Sequence, residues 1–410
     1  MRLATVFQRA VGASPDVRFR AYDGSKAGPA EAEVSIEIRT PEALSYLASA
    51  PGELGLARAY VTGNLEITGD VHKALSRLSE LSLRSIPLVP RLELLATLGR
   101  TFLNNRVEPP PQERRLRGIR HSKTRDSEAI AHHYDVSNAF YERVLGPSMA
   151  YTCAVYPEAT SSLEEAQFTK HDLVARKLGL KEGMRLLDLG CGWGGMVMHA
   201  AKHYGVRAIG VTLSRNQAEW AQKAIVEAGL SELAEVRHLD YRDVRETGFD
   251  AVSAIGLAEH IGKAKLPGYF GFVQRKLKPG GRMLNHCITR PDNRQPARSG
   301  SFINRYVFPD GELVGPGHLV SVMNDSGFEI RHEENLREHY AMTLAAWCRN
   351  LDEHWDEAVR EVGEGRARVW RLYLAASRLG FDRNSIQLHQ VLGVKLDGTD
   401  AHVPLRPDWA

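Results

Sequence analysis

Apolar positions recur along this chain with two different periods, and the period changes from one stretch to the next. Val17, Phe19 and Tyr22 mark one short β-like stretch, and Val34, Ile36 and Ile38 alternate with polar residues in another. Between them, the turn-rich run Asp23-Gly24-Ser25-Lys26-Ala27-Gly28-Pro29 reads as a hairpin connection. Helical spacing follows at 41–50, 52–61 and 70–81. From about residue 128, strand-like runs at 185–189, 207–211, 235–239, 249–255 and 282–288 alternate with helical segments. That alternation builds βαβ units, hence an α/β fold with a mostly parallel sheet covered on both faces. An aromatic-rich helical block (Tyr340, Trp347, Trp355, Trp370, Tyr373) interrupts the series at 335–385, and 387–396 returns to the sheet. The expected organisation is a smaller N-terminal α+β domain over 1–104, a basic proline-containing linker over 105–127, and a Rossmann-like domain over 128–410 carrying a helical cap at about 335–385.

Composition narrows the function classes. With 25% charged and 43% hydrophobic residues among 410, the chain is ordinary globular material, which excludes wholesale disorder. The net charge of +3 is too balanced for a surface devoted to nucleic acid. Residues 106–125, however, hold seven basic and two acidic side chains, so the positive charge is local. The stretch is either a solvated linker or a patch attracted to anionic phospholipid headgroups, at ~1 kcal/mol per basic residue. No aromatic platform or reading motif accompanies it, as nucleic acid would require. The apolar segment 86–99, punctuated by Pro87 and Pro90, is either a helix packed on the domain core or a surface that touches lipid. Cys153, Cys191, Cys287 and Cys348 show no metal or disulfide spacing, so no metal is expected and a reducing compartment is. No run reaches the ~18–20 apolar residues that span a bilayer. The N-terminus lacks the pattern of a signal peptide, which places the expected protein in the cytoplasm.

The strongest local signal is Leu186-Leu187-Asp188-Leu189-Gly190-Cys191-Gly192-Trp193-Gly194-Gly195, an apolar strand ending in a glycine-rich turn that opens a helix. It resembles the first motif of class I S-adenosylmethionine-dependent methyltransferases, in which Asp188 would orient the turn and the cofactor's amino group. The second strand ends Gly210-Val211-Thr212-Leu213-Ser214-Arg215-Asn216-Gln217, with no carboxylate for the ribose hydroxyls; Gln217, able to donate and accept, takes that place. Asp240 and Tyr241, in Leu239-Asp240-Tyr241-Arg242-Asp243, stand where the third strand would meet adenine.

Several further stretches are similar to a more specific family, the cyclopropane-fatty-acyl-phospholipid synthases and their mycolic-acid and tuberculostearate-type relatives. They are His133-Tyr134-Asp135-Val136-Ser137-Asn138, Met149-Ala150-Tyr151-Thr152-Cys153-Ala154, Thr212-Leu213-Ser214 with Gln217, Glu259-His260-Ile261-Gly262, Tyr306-Val307-Phe308-Pro309 and Ile386-Gln387. Gly52-Glu53-Leu54-Gly55-Leu56-Ala57-Arg58-Ala59-Tyr60 looks like the extra N-terminal domain of the phospholipid-acting branch. The resemblance implies transfer of a methyl group from S-adenosylmethionine to a cis double bond, through a carbocation, with bound bicarbonate as the proton acceptor. It places Glu259, His286 and Tyr340 around the bicarbonate, with main chain near Cys153 and Ile288. It places Tyr151, Thr152, Asp188, Gly190, Cys191, Gly192, Gly194, Thr212, Leu213, Ser214, Gln217, Asp240 and Tyr241 around the cofactor. The partner it implies is a phospholipid bilayer with unsaturated acyl chains, met peripherally at the inner face, by a homodimer.

Three positions depart from the family pattern. Ala258 replaces a common phenylalanine, Ser377 stands where some synthases carry a cysteine, and Gly146 stands where relatives often have aspartate. The wider pocket beside Ala258 leaves open a methylene-branched product, which a downstream reductase would then consume. Two readings from other classes also stay open: a methyltransferase of a small metabolite or nucleic acid on the same fold, and a catalytically silent lipid-binding module.

Overall fold

The computed structural model describes residues 2–11, 17–79, 107–114, 120–123, 125–126, 137–296 and 300–409. The 86–99 segment, the His133–Val136 part of the family match, and Arg106, Arg115 and Arg117 of the basic run lie outside the described residues. The chain divides into two compact units. One comprises Met1–Arg115, Gly300–Val307 and Leu351–Leu379; the other comprises Leu116–Ser299, Phe308–Asn350 and Gly380–Ala410. The middle of the helical block thus groups with the N-terminal residues, where the sequence pattern assigns all of 335–385 to the larger domain.

In the first unit, β1 (Val17–Ala21), β2 (Lys26–Ala27), β3 (Val34–Ile38) and β4 (Leu65–Thr68) form a sheet in the order β2-β1-β3-β4. Its buried face is drawn from the alternating residues Val17, Phe19, Val34, Ile36, Ile38, Leu65 and Ile67. The turn at 23–29 does not join β1 to β3 as a hairpin. Ser25 N–H donates to Asp23 Oδ1 at 3.0 Å and Ala21 N–H to Ser25 O at 3.1 Å, which closes a short β1–β2 hairpin instead. β3 then pairs parallel to the other edge of β1. Gly28 makes the return possible: its φ is +78°, and a Cβ there would sit 2.1 Å from Val17 O. Helices Pro41–Ser49, Glu53–Val61 and Val71–Ser79 match the expected periodicity.

In the second unit, β5 (Arg185–Leu189), β6 (Arg207–Thr212), β7 (Ala234–His238), β8 (Phe249–Ile255), β9 (Leu277–Thr289), β10 (Glu329–Asn335) and β11 (Gln387–Val394) form one sheet ordered β10-β11-β9-β8-β5-β6-β7. From β7 to β9 the pairs are parallel; β11 is antiparallel to β9 and β10. Apolar side chains cover both faces. Leu186, Val197, Ala200, Ala208 and Ala221 pack on one, and Leu187, Val252, Phe270, Met283 and Met323 on the other. β10 escapes the sequence pattern because Glu-Ile-Arg-His-Glu-Glu-Asn is an edge strand with one aliphatic residue. Among the described residues no helix is long and apolar enough to cross a membrane.

Candidate active site

At the carboxyl ends of β5, β6 and β8 the chain turns sharply, and the turns enclose a groove. After β5, Gly190, Gly192 and Gly194 all have positive φ (71°, 54° and 79°), a conformation that L side chains rarely adopt. The turn opens the helix Gly195–Tyr204. At Gly192 a Cβ would meet open space, whereas at Gly190 it would reach Leu257 and at Gly194 Ala221 and Val236. The groove has two lobes, of about 860 and about 550 Å3, which share Gly190, Gly192, Gln217 and Gly256. Ligands of such sheets bind at this edge.

The first lobe is lined by Thr212, Leu213, Tyr241 and Arg242, together with Leu239, Leu257 and Ile261. Gln217, buried at the start of a helix capped by Ser214, accepts a hydrogen bond from Thr212 Oγ1 at 2.7 Å. Asp240 does not line the lobe: its carboxylate holds Arg242, with Arg242 Nη2 at 2.6 Å and Nε at 2.8 Å. Neither do Ser214 and Gly194, which shape the turns behind it. His121, Asp126 and Asp310 close the same lobe, and here the basic run finds partners. Arg120 and Arg125 pair with Asp310, and Lys123 pairs with Asp243. The sequence pattern gave no sign of these pairings, because the acidic partners lie more than a hundred residues away.

The second lobe is lined by Met149, Tyr151, Thr152, Lys170, His171, Asp188, Cys191 and Trp193. The loop bearing Tyr151 and Thr152 is pinned from two sides. Gln167 Nε2 donates to Thr152 O at 2.9 Å, and Ala154 N–H donates to Thr343 Oγ1 at 3.0 Å. Asp188 accepts from Ser253 Oγ at 2.6 Å, and burial pushes its carboxyl up to about 6. Lys170, missed by sequence reasoning, is 1% exposed and donates to Thr152 Oγ1 at 2.9 Å; burial pulls its ammonium down to about 7. Its only sequence signal was a lysine inside a helical apolar stripe, which reads as a solvated position. A row of rings borders this end: Trp193–Tyr141 at 4.7 Å, Tyr141–Tyr151 at 5.9 Å, Tyr151–Trp347 at 5.3 Å and Trp347–Tyr340 at 6.1 Å.

The residues expected around an oxyanion are connected through neighbouring strands and main-chain contacts. Glu259 follows β8 and His286 lies in β9, paired with Ile255 of β8. Ile288 N–H donates to Glu259 Oε1 at 2.7 Å, so its main chain is engaged by the glutamate itself. Glu259 Oε2 and His286 Nε2 are buried with no hydrogen-bond partner among the described residues. Burial pushes the Glu259 carboxyl up to about 7 and holds His286 well below its ordinary value, so the imidazole is neutral. Cys153 Sγ sits 3.8 Å from Leu336 O, one helical turn before Tyr340, and Leu336 N–H donates to Leu388 O at 2.8 Å. Leu388 is the strand partner of Ile288, which links the set. Burial raises the Cys153 thiol, so it is neutral and no nucleophile.

Residues 121–391 match the model of the mycolic acid cyclopropane synthetase family. The chain belongs to this family. Over 414 residues it is 56% identical to a probable fatty acid methyltransferase of Mycobacterium tuberculosis, covering 98% of this chain and 96% of that one. It is 35% identical to the cyclopropane-fatty-acyl-phospholipid synthase of Escherichia coli, over 63% of this chain and 66% of that one. The crystal structure of the mycolic acid cyclopropane synthase CmaA1, complexed with SAH and CTAB, superposes with a TM-score of 0.62 at 30% identity. It covers 65% of this chain and 97% of that one. The larger unit is therefore a class I methyltransferase fold, and the family's chemistry is S-adenosylmethionine-dependent methyl transfer to lipids.

Proposed function

We propose that this family member transfers the methyl group of S-adenosylmethionine to the cis double bond of an unsaturated acyl chain in a membrane phospholipid, and that proton loss then closes a cyclopropane. The observation that carries the reading is the pair of buried, unpartnered polar atoms, Glu259 Oε2 and His286 Nε2. Leaving two such atoms empty costs about 1–3 kcal/mol each. A small oxyanion fits them: the neutral imidazole and a carboxyl with its pKa near 7 can both donate a proton. Glu259, His286 and Tyr340 would hold bicarbonate, which when bound supplies the proton acceptor.

The two-lobed groove fits the cofactor. Tyr241 and Leu213 would flank its base and Gln217 its ribose, while Asp188, Thr152 and Lys170 face the methionine end. S-adenosylmethionine, when bound, supplies an electrophilic methyl. An alkene is a feeble nucleophile, so the protein's part is to align the two and exclude water. Tyr151, Trp193, Trp347 and Tyr340 provide aromatic faces, which stabilise a developing carbocation without trapping it. The buried aromatic content of residues 337–353 argues against a polar metabolite as substrate.

One observation favours a second product. Ala258, buried directly before Glu259, stands where the family often carries phenylalanine, and the smaller side chain would give the cation room to rearrange before proton loss, giving a methylene branch. The test is expression in a host lacking such lipids, with methyl-labelled cofactor. Label in phospholipid acyl chains supports the proposal, and NMR then separates cyclopropane protons from vinylidene ones. Label absent from every acyl chain overturns it.

A further inference from the structure

Two buried polar residues behind the proposed oxyanion site have no part in the chemistry above. Lys177, on the helix Leu163–Leu178, is 1% exposed; Gln390, on β11, is equally buried. A buried ammonium is costly unless it is paired and hydrogen-bonded. Lys177 Nζ meets both demands by donating to Glu334 Oε2 on β10 and, at 2.7 Å, to Gln390 Oε1. Gln390 in turn stands directly across the β9–β11 ladder from His286, and its Nε2 lies 3.2 Å from His286 Nδ1.

Donor and acceptor chemistry leaves one consistent arrangement. An ammonium has protons only to give, so the amide atom facing Lys177 is the oxygen. The amide nitrogen therefore faces the imidazole, and it too can only donate. His286 Nδ1 must accept with a lone pair, and the ring proton then sits on Nε2. Turning the amide over would set NH2 against an ammonium; protonating the ring would set N–H against NH2. Either error leaves buried donors unmatched, without the water that would otherwise satisfy them.

We infer that Lys177 and Gln390 are positioning residues that lock His286 in the Nε2–H tautomer, making it a fixed hydrogen-bond donor toward the site beside Glu259. His286 is then excluded as the base that removes a proton from the substrate. The identity of the oxyanion rests on the function proposed above; the tautomer does not.

The experiment uses the full-length chain with 15N-labelled histidine, His286 being assigned by the signals lost in His286→Asn. In the wild type, the His286 Nε2 signal is expected in the protonated range and Nδ1 in the unprotonated range. Gln390→Glu keeps the size but presents an acceptor to the ring, which draws the proton to Nδ1. The two shifts should exchange, and turnover on lipid should fall about 10- to 100-fold, while S-adenosylhomocysteine affinity stays within about two-fold. A wild-type ring protonated on Nδ1 overturns the inference whatever the activity, and does so even if Gln390→Glu fails to fold. Exchanged shifts with undiminished turnover overturn the donor role. Failure of the wild type to label a lipid overturns the proposed substrate and leaves the spectra to decide the tautomer.

Discussion

Glu259 concentrates the residue-scale physics. Its carboxyl titrates at about 7, above the ordinary range, because burial penalises the ionised form more than the Ile288 N–H favours it. The folded protein therefore holds a proton that the unfolded chain has already lost, and stability falls as pH rises from about 4.5 through 7. Glu259→Gln retains the bond from Ile288 and cannot ionise. Relative to wild type it should gain as much as about 3 kcal/mol at pH 8 and almost nothing at pH 4, measured by denaturant titration. The same variant should abolish turnover while S-adenosylmethionine affinity survives; near-normal activity would refute the role proposed for Glu259. At Gly146 the departure from the family pattern has a local account. Its φ is +77°, and a Cβ there would lie 2.4 Å from Glu164 Oε1, so another residue's carboxylate already occupies that space. No contact recorded around Ser377 explains its identity.

At the scale of elements, the site depends on how closely helices and strands approach the glycine turn. Gly210 in β6 is the tightest point: a Cβ would lie 2.7 Å from Val197 Cγ2 and 2.8 Å from Cys191 Cβ and Sγ. Gly210→Ala should cost about 1–3 kcal/mol by overpacking, and by displacing Cys191 it should weaken cofactor binding. A variant with unchanged midpoint and unchanged affinity would show that the turn is not held from beneath. The helix Leu163–Leu178, which carries Lys170 and Lys177, is fixed at its start by the reciprocal Ser162–Glu165 capping box. Ser162→Ala should lower the unfolding midpoint by the equivalent of about 1 kcal/mol. The sequence made these elements legible wherever burial imposed a pattern, as in the alternation of β3 and the apolar runs of β5 and β8. It failed at β10, whose edge position asks little of its side chains, and at the 23–29 turn, where local chemistry specifies a turn but not which strand comes next.

For the whole molecule, charge and lipid docking are the open connection. Of the seven basic residues at 106–125, Arg120, Lys123 and Arg125 are paired with Asp310 and Asp243, so only the remainder can attract a headgroup. Turnover should decline with salt on anionic vesicles and hold steady on zwitterionic ones, since exposed charges are screened within ~8 Å at physiological ionic strength. An equal decline on both would show that salt loosens the ion pairs beside the groove and that headgroup attraction is negligible. By itself, the amino-acid sequence determined the alternation of elements, the glycine turn and the chemical types at Glu259 and His286, because period, backbone freedom and side-chain chemistry are local properties. Tertiary structure alone decided that Ile288 N–H orients Glu259, that Gln390 faces His286, and that Arg120, Lys123 and Arg125 of the basic stretch pair with distant aspartates. Those outcomes depend on which residues a sheet brings opposite one another and how far each lies from water, and neither quantity exists until the chain has closed.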